Sequence, residues 1–225
     1  MAQHTTLTHE PDMAGQVVAL IPVRSLTRGK TRLAPDVGPG DRASLIRTML
    51  GDVIGAATAS GVVDRVAVIS PDPTVLALAA SLSPGILPLR QPDDRPGLIA
   101  ALDQGRDRAL AGGAATLLIL FADLPLLAPG DVRAMVAADA PVVLSPDRHG
   151  AGTNALLLRL GEGAAPFRFR FGECSFGAHL DEADRLGLRA IPVVTAGTSL
   201  DVDTPADLAE WSQRAGEPAH TLASP

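Results

Sequence analysis

The sequence lacks tyrosine, has one cysteine and contains no long apolar run. Aromatic residues make up only 3% of the 225 residues, so the core must be built from aliphatic side chains. Cys174 has no partner for an internal disulfide, as is typical of a reducing compartment. The apolar runs are too short to span a membrane, and the polar first residues do not form a secretory signal. These absences predict a soluble, cytoplasmic protein with no membrane partner.

The charge balance is acidic, with 25 acidic residues, 19 basic residues and a formal net charge of −6. General nucleic-acid binders usually carry basic stripes across one face, so we expect no nucleic-acid partner. The hydrophobic content of 46% argues against disorder, and the length suits one large domain.

Short apolar runs alternate with longer helical patterns along the chain. Strands are predicted at 17–22, 66–70, 86–89, 116–121, 142–145, 154–159 and 189–194. Helices are predicted at 40–60, 73–82, 97–111, 129–138, 175–187 and 204–215. This order predicts an α/β fold with a mixed, mainly parallel sheet and helices on both faces. Residues 17–213 are assigned to one domain, and 1–16 and 214–225 to flexible tails.

A basic loop follows the first predicted strand, although the chain as a whole is acidic. It contains Arg24, Arg28, Lys30 and Arg32 and no acidic residue. The Walker A pattern and the G-x-G-x-x-G fingerprint are both absent, which disfavours a P-loop protein and an NAD-dependent oxidoreductase. Phosphate would then be held by side chains, with arginine binding it in bidentate fashion and lysine acting as a point charge. The alternative is a solvated basic turn.

Three aspartates form a second group of candidate site residues. Asp123 follows the apolar run "LLILF", where a carboxylate is costly to bury unless a cation or hydrogen bonds meet it. Asp201 and Asp203 are two residues apart, so on an extended chain both point to one side. A hard divalent cation such as Mg²⁺ would stabilise such carboxylates. The alternative is that each aspartate belongs to an ordinary turn or helix cap.

Five segments together resemble one enzyme family. They are "IPVRSLTRGKTRLAP", "FADLPLL", "LSPDRHGAGTNALLLR", "FRFGECSFGAHLDEA" and "LDVDTPADL", spread over roughly residues 17–211. The family is that of the phosphoenolpyruvate and 2-phospho-L-lactate guanylyltransferases of coenzyme F-420 biosynthesis. The "DLP" motif occurs more widely among nucleotidyltransferases, whereas "GTNALLLR" followed by "FGECSFGAHLDEA" is more specific.

The resemblance implies a nucleotide-diphospho-sugar transferase-like fold and a Mg²⁺-dependent nucleotidyltransferase. Such an enzyme transfers GMP from GTP to the phosphate of phosphoenolpyruvate, or of a related three-carbon phospho-acid, and releases pyrophosphate. A downstream deazaflavin transferase would take up the unstable product.

The resemblance also implies roles for individual residues. Mg²⁺ would be held by Asp123, Asp201 and Asp203. The acceptor would be bound by Thr153, Gly172 and Ser175. The triphosphate would meet Arg24, Lys30 and Arg32, with Lys30 counted among the catalytic residues because it would stabilise the departing pyrophosphate. Ser175 also suits an anion site on physical grounds, since it begins a predicted helix with free backbone N–H groups.

Two positions depart from the family pattern. Ile99 stands where the family has the asparagine of "GLN", and Cys174 stands where a glycine often precedes the serine. Two alternative functions are a cytidylyl- or uridylyltransferase acting on a cofactor or sugar phosphate, and a non-catalytic GTP-binding sensor domain.

Overall fold

The computed structural model describes residues 13–26 and 29–215. Seven strands form one sheet in the order β3-β2-β1-β4-β6-β5-β7. The strands are β1 Val17–Pro22, β2 Arg65–Ser70, β3 Leu87–Arg90, β4 Thr116–Leu120, β5 Val142–Pro146, β6 Thr153–Arg159 and β7 Ala190–Pro192.

Within the described residues, seven α-helices accompany the sheet. They are α1 Pro39–Ala59, α2 Pro73–Leu82, α3 Leu98–Ala111, α4 Pro129–Ala137, α5 Ser175–Arg185, α6 Ala196–Ser199 and α7 Pro205–Ala215. Every predicted strand and helix is present, with ends within two residues of the prediction. The sequence did not predict α6 or the short 3-10 helices Thr31–Leu33 and Leu160–Glu162, because one turn of helix is too short to show a 3.6-residue period. No helix in the described ranges is long and apolar enough to cross a membrane.

The sheet is mixed because β6 alone runs against its neighbours. β1, β2, β3 and β4 are parallel to one another, and β5 is parallel to β7. β6 is antiparallel to both β4 and β5, with Ala155 paired to Leu120. The first residues of β6 therefore lie at the same edge of the sheet as the carboxyl ends of the other strands. That edge is where ligands bind in sheets of this kind.

Alternate residues of the central strands enter two aliphatic cores, one on each face of the sheet. Ala19 and Ile21 of β1 join the cluster that packs against α1, α2, α4 and α7. Val18 and Leu20 join the cluster that packs against α3 and α5. This is the two-faced burial that near-continuous apolar strands predict. The predicted α/β class with helices on both faces is confirmed.

The predicted N-terminal tail extends too far. Met13 is 1% exposed, and its backbone N–H donates to the carbonyl of Gly112. Its side chain fills the space beside that glycine, where an added Cβ would lie 2.3 Å from the Met13 Cε atom. Residues 13–16 therefore belong to the folded part. At the other end α7 continues to Ala215, beyond the predicted boundary at 213. The rest of both predicted tails, 1–12 and 216–225, lies outside the described residues.

The contact between α3 and β1 depends on Gly105. A Cβ atom added there would lie 2.2 Å from the Cδ2 atom of Leu20, which is itself fully buried. We expect Gly105→Ala to lower the free energy of unfolding by about 1–3 kcal/mol, because Leu20 must leave its rotamer or α3 must move. Urea unfolding measures the change.

Gly55→Ala is the matched control for this substitution. Gly55 is also helical, on α1, but it is exposed and an added Cβ meets nothing within 4 Å. This change should leave stability unchanged or raise it by about 0.5–1 kcal/mol. Equal effects at the two glycines would contradict the close approach of α3 to β1.

Candidate active site

A buried lysine joins three segments that are distant in the sequence. The Lys30 ammonium lies 2.7 Å from Oδ2 of Asp123 and 2.7 Å from Oδ1 of Asp203, and its side chain is 9% exposed. Burial by itself disfavours the charged ammonium, but the two carboxylates more than offset it and raise the pKa of Lys30 above its ordinary value. Lys30 is therefore a fixed positive charge at the carboxyl edge of the sheet.

The backbone at Lys30 has an uncommon conformation. Its φ of 54° lies in the left-handed region, directly before the 3-10 helix Thr31–Leu33. Such a conformation costs a residue with a Cβ atom about 1–3 kcal/mol and persists where the surroundings hold it. Here the two ion pairs of the side chain hold the loop in place, so the ammonium is aimed at the carboxylates.

The arginines of the basic loop are more exposed than Lys30. Arg32 is 75% exposed, and its Nη1 lies 4.0 Å from Oδ2 of Asp203. Arg24 is exposed and lines a cavity beside the carboxyl end of β1. Arg28 lies outside the described residues. The loop thus presents one buried and two exposed cations at the same edge.

The three predicted carboxylates lie on two neighbouring segments. The backbone N–H of Val202 donates to the carbonyl of Asp123 at 3.1 Å, which ties the "DVD" segment to the end of β4. Oδ1 of Asp201 accepts a hydrogen bond of 3.2 Å from the side-chain amide of Asn154. Burial, and then the negative charge of Asp123, raise the pKa of Asp201 above its ordinary value. The carboxylates are therefore close enough to repel one another.

This donor set has the chemistry that a hard divalent cation requires, since such ions prefer carboxylate oxygens. Within residues 13–26 and 29–215, however, no three acidic, histidine or cysteine side chains converge on one point as a preformed metal site. Lys30 lies between Asp123 and Asp203 and pairs with both, so the role of the three aspartates as metal ligands stays a prediction. The residues fit a metal ion provided that Lys30 moves off one or both carboxylates.

Sequence reasoning predicted Thr204 as the N-cap of the last helix but missed Asp207 and Arg148, which also hold the "DVD" segment in place. Asp207 is 4% exposed, and its Oδ2 accepts the backbone N–H groups of Asp203 and Thr204 at 3.0 and 2.7 Å. Thr204 in return accepts the N–H of Asp207, so the pair caps α7. Arg148 pairs with Asp207 from the loop after β5. The spacing T-x-x-D was the available signal for this cap.

Two of the three predicted acceptor-binding residues are in direct contact. The N–H of Thr153 donates to Oγ of Ser175 at 2.9 Å, and both residues are buried. The glycine-rich loop before Thr153 is held by Asp147, whose carboxylate accepts the N–H groups of the residues at 149, 151 and 152. Gly172 is exposed, with a φ of 143°. Asn154, which follows Thr153, links this group to Asp201.

A cavity of about 730 Å³ lies beside the ends of β1, β2 and β3. Arg24, Gln91, Gly97 and Leu98 are among the residues that line it. Gln91 is 4% exposed, and its amide nitrogen donates to the carbonyls of Arg95 and Gly97. Its amide oxygen accepts nothing in the described residues, so a polar group remains available at the cavity wall. Sequence reasoning did not single out Gln91, which has no motif of its own.

The geometry described so far combines cations and paired carboxylates at one edge of the sheet with a cavity of about 730 Å³. Residues 17–220 match the family model described as "Guanylyl transferase CofC like". The chain belongs to this CofC-like guanylyltransferase family. The predicted resemblance is confirmed over almost the same residues.

Two named relatives illustrate the family. The phosphoenolpyruvate guanylyltransferase of Rubrobacter xylanophilus is 46% identical over 203 residues, which cover 89% of this chain and 95% of the relative. The 2-phospho-L-lactate guanylyltransferase of Methanothermobacter thermautotrophicus is 40% identical over 194 residues, which cover 85% of this chain and 82% of the relative.

Solved structures share the fold of this CofC-like chain. A candidate nucleotide-diphospho-sugar transferase from Desulfovibrio desulfuricans superposes with a TM-score of 0.71 at 15% identity, covering 93% of this chain and 92% of its own. A protein of Mycobacterium tuberculosis, solved as a complex with manganese, superposes with a TM-score of 0.53 at 18% identity, covering 88% and 97%. The fold is therefore nucleotide-diphospho-sugar transferase-like, as predicted.

The departures from the family pattern fall at two helix starts. Ile99 is 37% exposed in the first turn of α3, next to Leu98 in the cavity wall. Cys174 precedes α5 with a φ of 56°, the left-handed conformation that glycine adopts at no cost. The chain therefore keeps the backbone shape of a glycine at this position, with the strain of a Cβ atom.

We expect Cys174→Gly to stabilise the CofC-like protein by up to about 1 kcal/mol. The strain released exceeds the greater entropy that glycine loses on folding. Cys174→Ala is the control, because it removes the thiol and keeps the Cβ atom. Urea unfolding measures the free energy of unfolding of both variants. A glycine variant that is no more stable than the alanine variant would contradict a strained backbone at residue 174.

Proposed function

We propose that this protein transfers GMP from GTP to the phosphate of phosphoenolpyruvate, or of 2-phospho-L-lactate, and releases pyrophosphate. The observation that carries the proposal is the cluster of Lys30, Asp123 and Asp203, which places a buried cation beside carboxylates at the ligand-binding edge of the sheet. Membership of the CofC-like family supports the nucleotide, and the names of the two relatives support the acceptors.

The proposal extends to a role in coenzyme F-420 biosynthesis in the cytoplasm. The product is a mixed anhydride of a phospho-acid and GMP. A product of this kind is an activated group donor, so a downstream deazaflavin transferase is proposed to take it up.

The cavity beside β1, β2 and β3 is proposed to hold the nucleoside of GTP. Its volume of about 730 Å³ is within the range of small-molecule sites. The amide oxygen of Gln91 offers an acceptor for the N–H groups of guanine. Arg24 lies in the cavity wall, and Lys30 and Arg32 lie further along the same loop, which suits a triphosphate that extends toward Asp203.

The acceptor is proposed to bind at Thr153, Gly172 and Ser175. Two buried hydroxyl groups and the start of α5 offer hydrogen bonds to a phosphate or carboxylate. Asn154 connects this group to Asp201, so the acceptor phosphate would lie next to the carboxylates. Nucleotide and acceptor would then meet above Asp123.

In the proposed reaction, a phosphate oxygen of the acceptor attacks the α-phosphorus of GTP. The new P–O bond forms as the bond from the α-phosphorus to the bridging oxygen breaks, and pyrophosphate leaves with that electron pair. A phosphate dianion is already nucleophilic at neutral pH, so no residue has to remove a proton. Lys30 and Arg32 would stabilise the negative charge on the leaving group.

Mg²⁺ is the proposed cofactor, with Asp123, Asp201 and Asp203 as its ligands. When bound, the ion neutralises phosphate charge and helps to align the attacking and leaving oxygens. The ion would compete with Lys30 for Asp123 and Asp203, and the triphosphate is the anion toward which the ammonium would turn.

Asp203→Asn tests the carboxylates. We expect kcat to fall by at least about 100-fold. The substitution removes one negative charge, which would bind the metal ion and which pairs with Lys30. Pyrophosphate release and trapping of the product by the downstream transferase measure the rate. Asp139→Asn is the control, since that carboxylate is fully exposed and pairs only with Arg189 in the described structure. Near-normal activity of Asp203→Asn would contradict the assignment.

Lys30→Met tests whether the ammonium competes with a cation for the carboxylates. Without nucleotide, the affinity for Mn²⁺, used as a probe for Mg²⁺, should rise by about tenfold or more, because a positive charge leaves the site. Turnover should nevertheless be lost. Calorimetric titration of the free protein measures the affinity. Arg32→Met, at an exposed site, should change it little, and an unchanged affinity in Lys30→Met would contradict competition.

The choice of acceptor is tested by supplying GTP and Mg²⁺ with phosphoenolpyruvate, 2-phospho-L-lactate or 3-phosphoglycerate, one at a time. A trapped product identifies the acceptor. GTP binding without pyrophosphate release would support the sensor alternative, whereas turnover with CTP or UTP would support another nucleotidyltransferase.

A further inference from the structure

One face of α5 carries three buried polar side chains, at Ser175, His179 and Glu182. Their spacing puts them one above another along the helix, and they are 2%, 0% and 2% exposed. Ser175 accepts the N–H of Thr153, and Glu182 accepts the N–H of Arg168 at 2.9 Å. His179, between them, contacts Thr153 of β6 and the backbone of Arg170.

The contacts of His179 determine which ring nitrogen carries the hydrogen. The backbone N–H of Arg170 lies 3.0 Å from Nε2 and can only donate, so Nε2 is the unprotonated acceptor. A neutral imidazole has one N–H, which must then be on Nδ1. Nδ1 lies 3.0 Å from Oγ1 of Thr153, so His179 donates to the hydroxyl oxygen of Thr153.

The surroundings keep this ring neutral. Burial lowers the pKa of His179 to about 4. Glu182, on the same helix, favours the charged form, and Arg170, on the facing segment, disfavours it. The rings of Phe167 and Phe171 lie with their centroids 5.7 and 4.6 Å from the imidazole centroid, which leaves it few polar neighbours. At neutral pH the hydrogen-bonding pattern is therefore fixed.

Each of the two hydroxyl oxygens in the proposed acceptor site accepts one hydrogen bond from the protein. Oγ1 of Thr153 accepts from His179, and Oγ of Ser175 accepts from the N–H of Thr153. Among residues 13–26 and 29–215 neither hydroxyl hydrogen has an acceptor. Each hydroxyl is left with one hydrogen to donate, and a phosphate or carboxylate oxygen can only accept.

We propose that His179 is a positioning residue that fixes the Thr153 hydroxyl as a hydrogen-bond donor to the anionic acceptor substrate. The inference rests on the proposed function, and adds to it the residue that orients one of the two hydroxyls of the acceptor site. Because Nδ1 of His179 donates to Oγ1, the hydroxyl hydrogen of Thr153 cannot point at the imidazole and is free to turn toward the substrate.

The test compares His179→Gln with His179→Asn. The amide nitrogen of asparagine lies near the Nδ1 position and can still donate to Thr153. Glutamine can offer an oxygen to the N–H of Arg170 but places no donor at Nδ1. With phosphoenolpyruvate as the acceptor, His179→Gln should raise its KM by about tenfold to a hundredfold, the range for a lost hydrogen bond to a charged group. The KM for GTP should be unchanged, and His179→Asn should keep most of the acceptor affinity.

A double-mutant cycle separates positioning from a general structural effect. Thr153→Val removes the hydroxyl and keeps the shape of the side chain. If His179 acts through that hydroxyl, His179→Gln should raise the KM no further in the Thr153→Val background. Additive effects, or a KM for the acceptor that His179→Gln leaves unchanged, would overturn the proposal.

The tautomer of His179 can be measured by NMR without any catalytic activity. ¹⁵N chemical shifts distinguish the protonated from the unprotonated ring nitrogen, and the His179 signals are those that disappear in His179→Asn. The wild-type protein should show the Nδ1–H tautomer at pH 7, and the Nε2–H tautomer would overturn the proposal even if both variants unfold. If no acceptor is turned over but the Nδ1–H tautomer is found, the proposed reaction fails while the hydrogen-bond arrangement stands.

Discussion

The site depends on one buried ammonium held between two carboxylates. Lys30, Asp123 and Asp203 come from segments separated by 93 and 173 positions, yet both ion pairs measure 2.7 Å. A buried charge is costly unless it is paired, so each partner is needed by the other two. The same ion pairs hold the left-handed backbone at Lys30 in place. The chain itself therefore supplies positive charge at this edge of the sheet.

The direction of β6 determines that Thr153 and Asn154 lie at the same edge of the sheet as the carboxylates. Because this strand is antiparallel to β4 and β5, its first residues lie beside the ends of its neighbours. Thr153 thereby meets α5, while Asn154 meets Asp201. A parallel strand would bring its last residues to this edge, and Thr153 would lie about 20 Å away at the opposite edge of the sheet. The proposed acceptor site and the carboxylates are thus joined by two consecutive residues.

Much of the fold could be predicted because its signals are local. Seven apolar runs and six helical patterns gave the strands and longer helices to within two residues. The tail boundary was wrong at Met13, since its burial depends on the space left by Gly112, about 100 positions away in sequence. Cys174 is an instructive case. The sequence showed only a missing glycine, while the φ of 56° shows that the backbone keeps the conformation that glycine would provide.

For the site, the sequence by itself determined which residues carry charge and which loops bear them. The four cations after the first strand, Asp123 after an apolar run and the paired aspartates before α7 are all visible as local patterns. Only the tertiary structure decided which charged and polar side chains are in contact with one another. The pairing of Lys30 with two carboxylates, the bond of Asn154 to Asp201 and the ring orientation of His179 each join distant segments. Such contacts are set by how strands order and helices pack, and no window of sequence contains both partners.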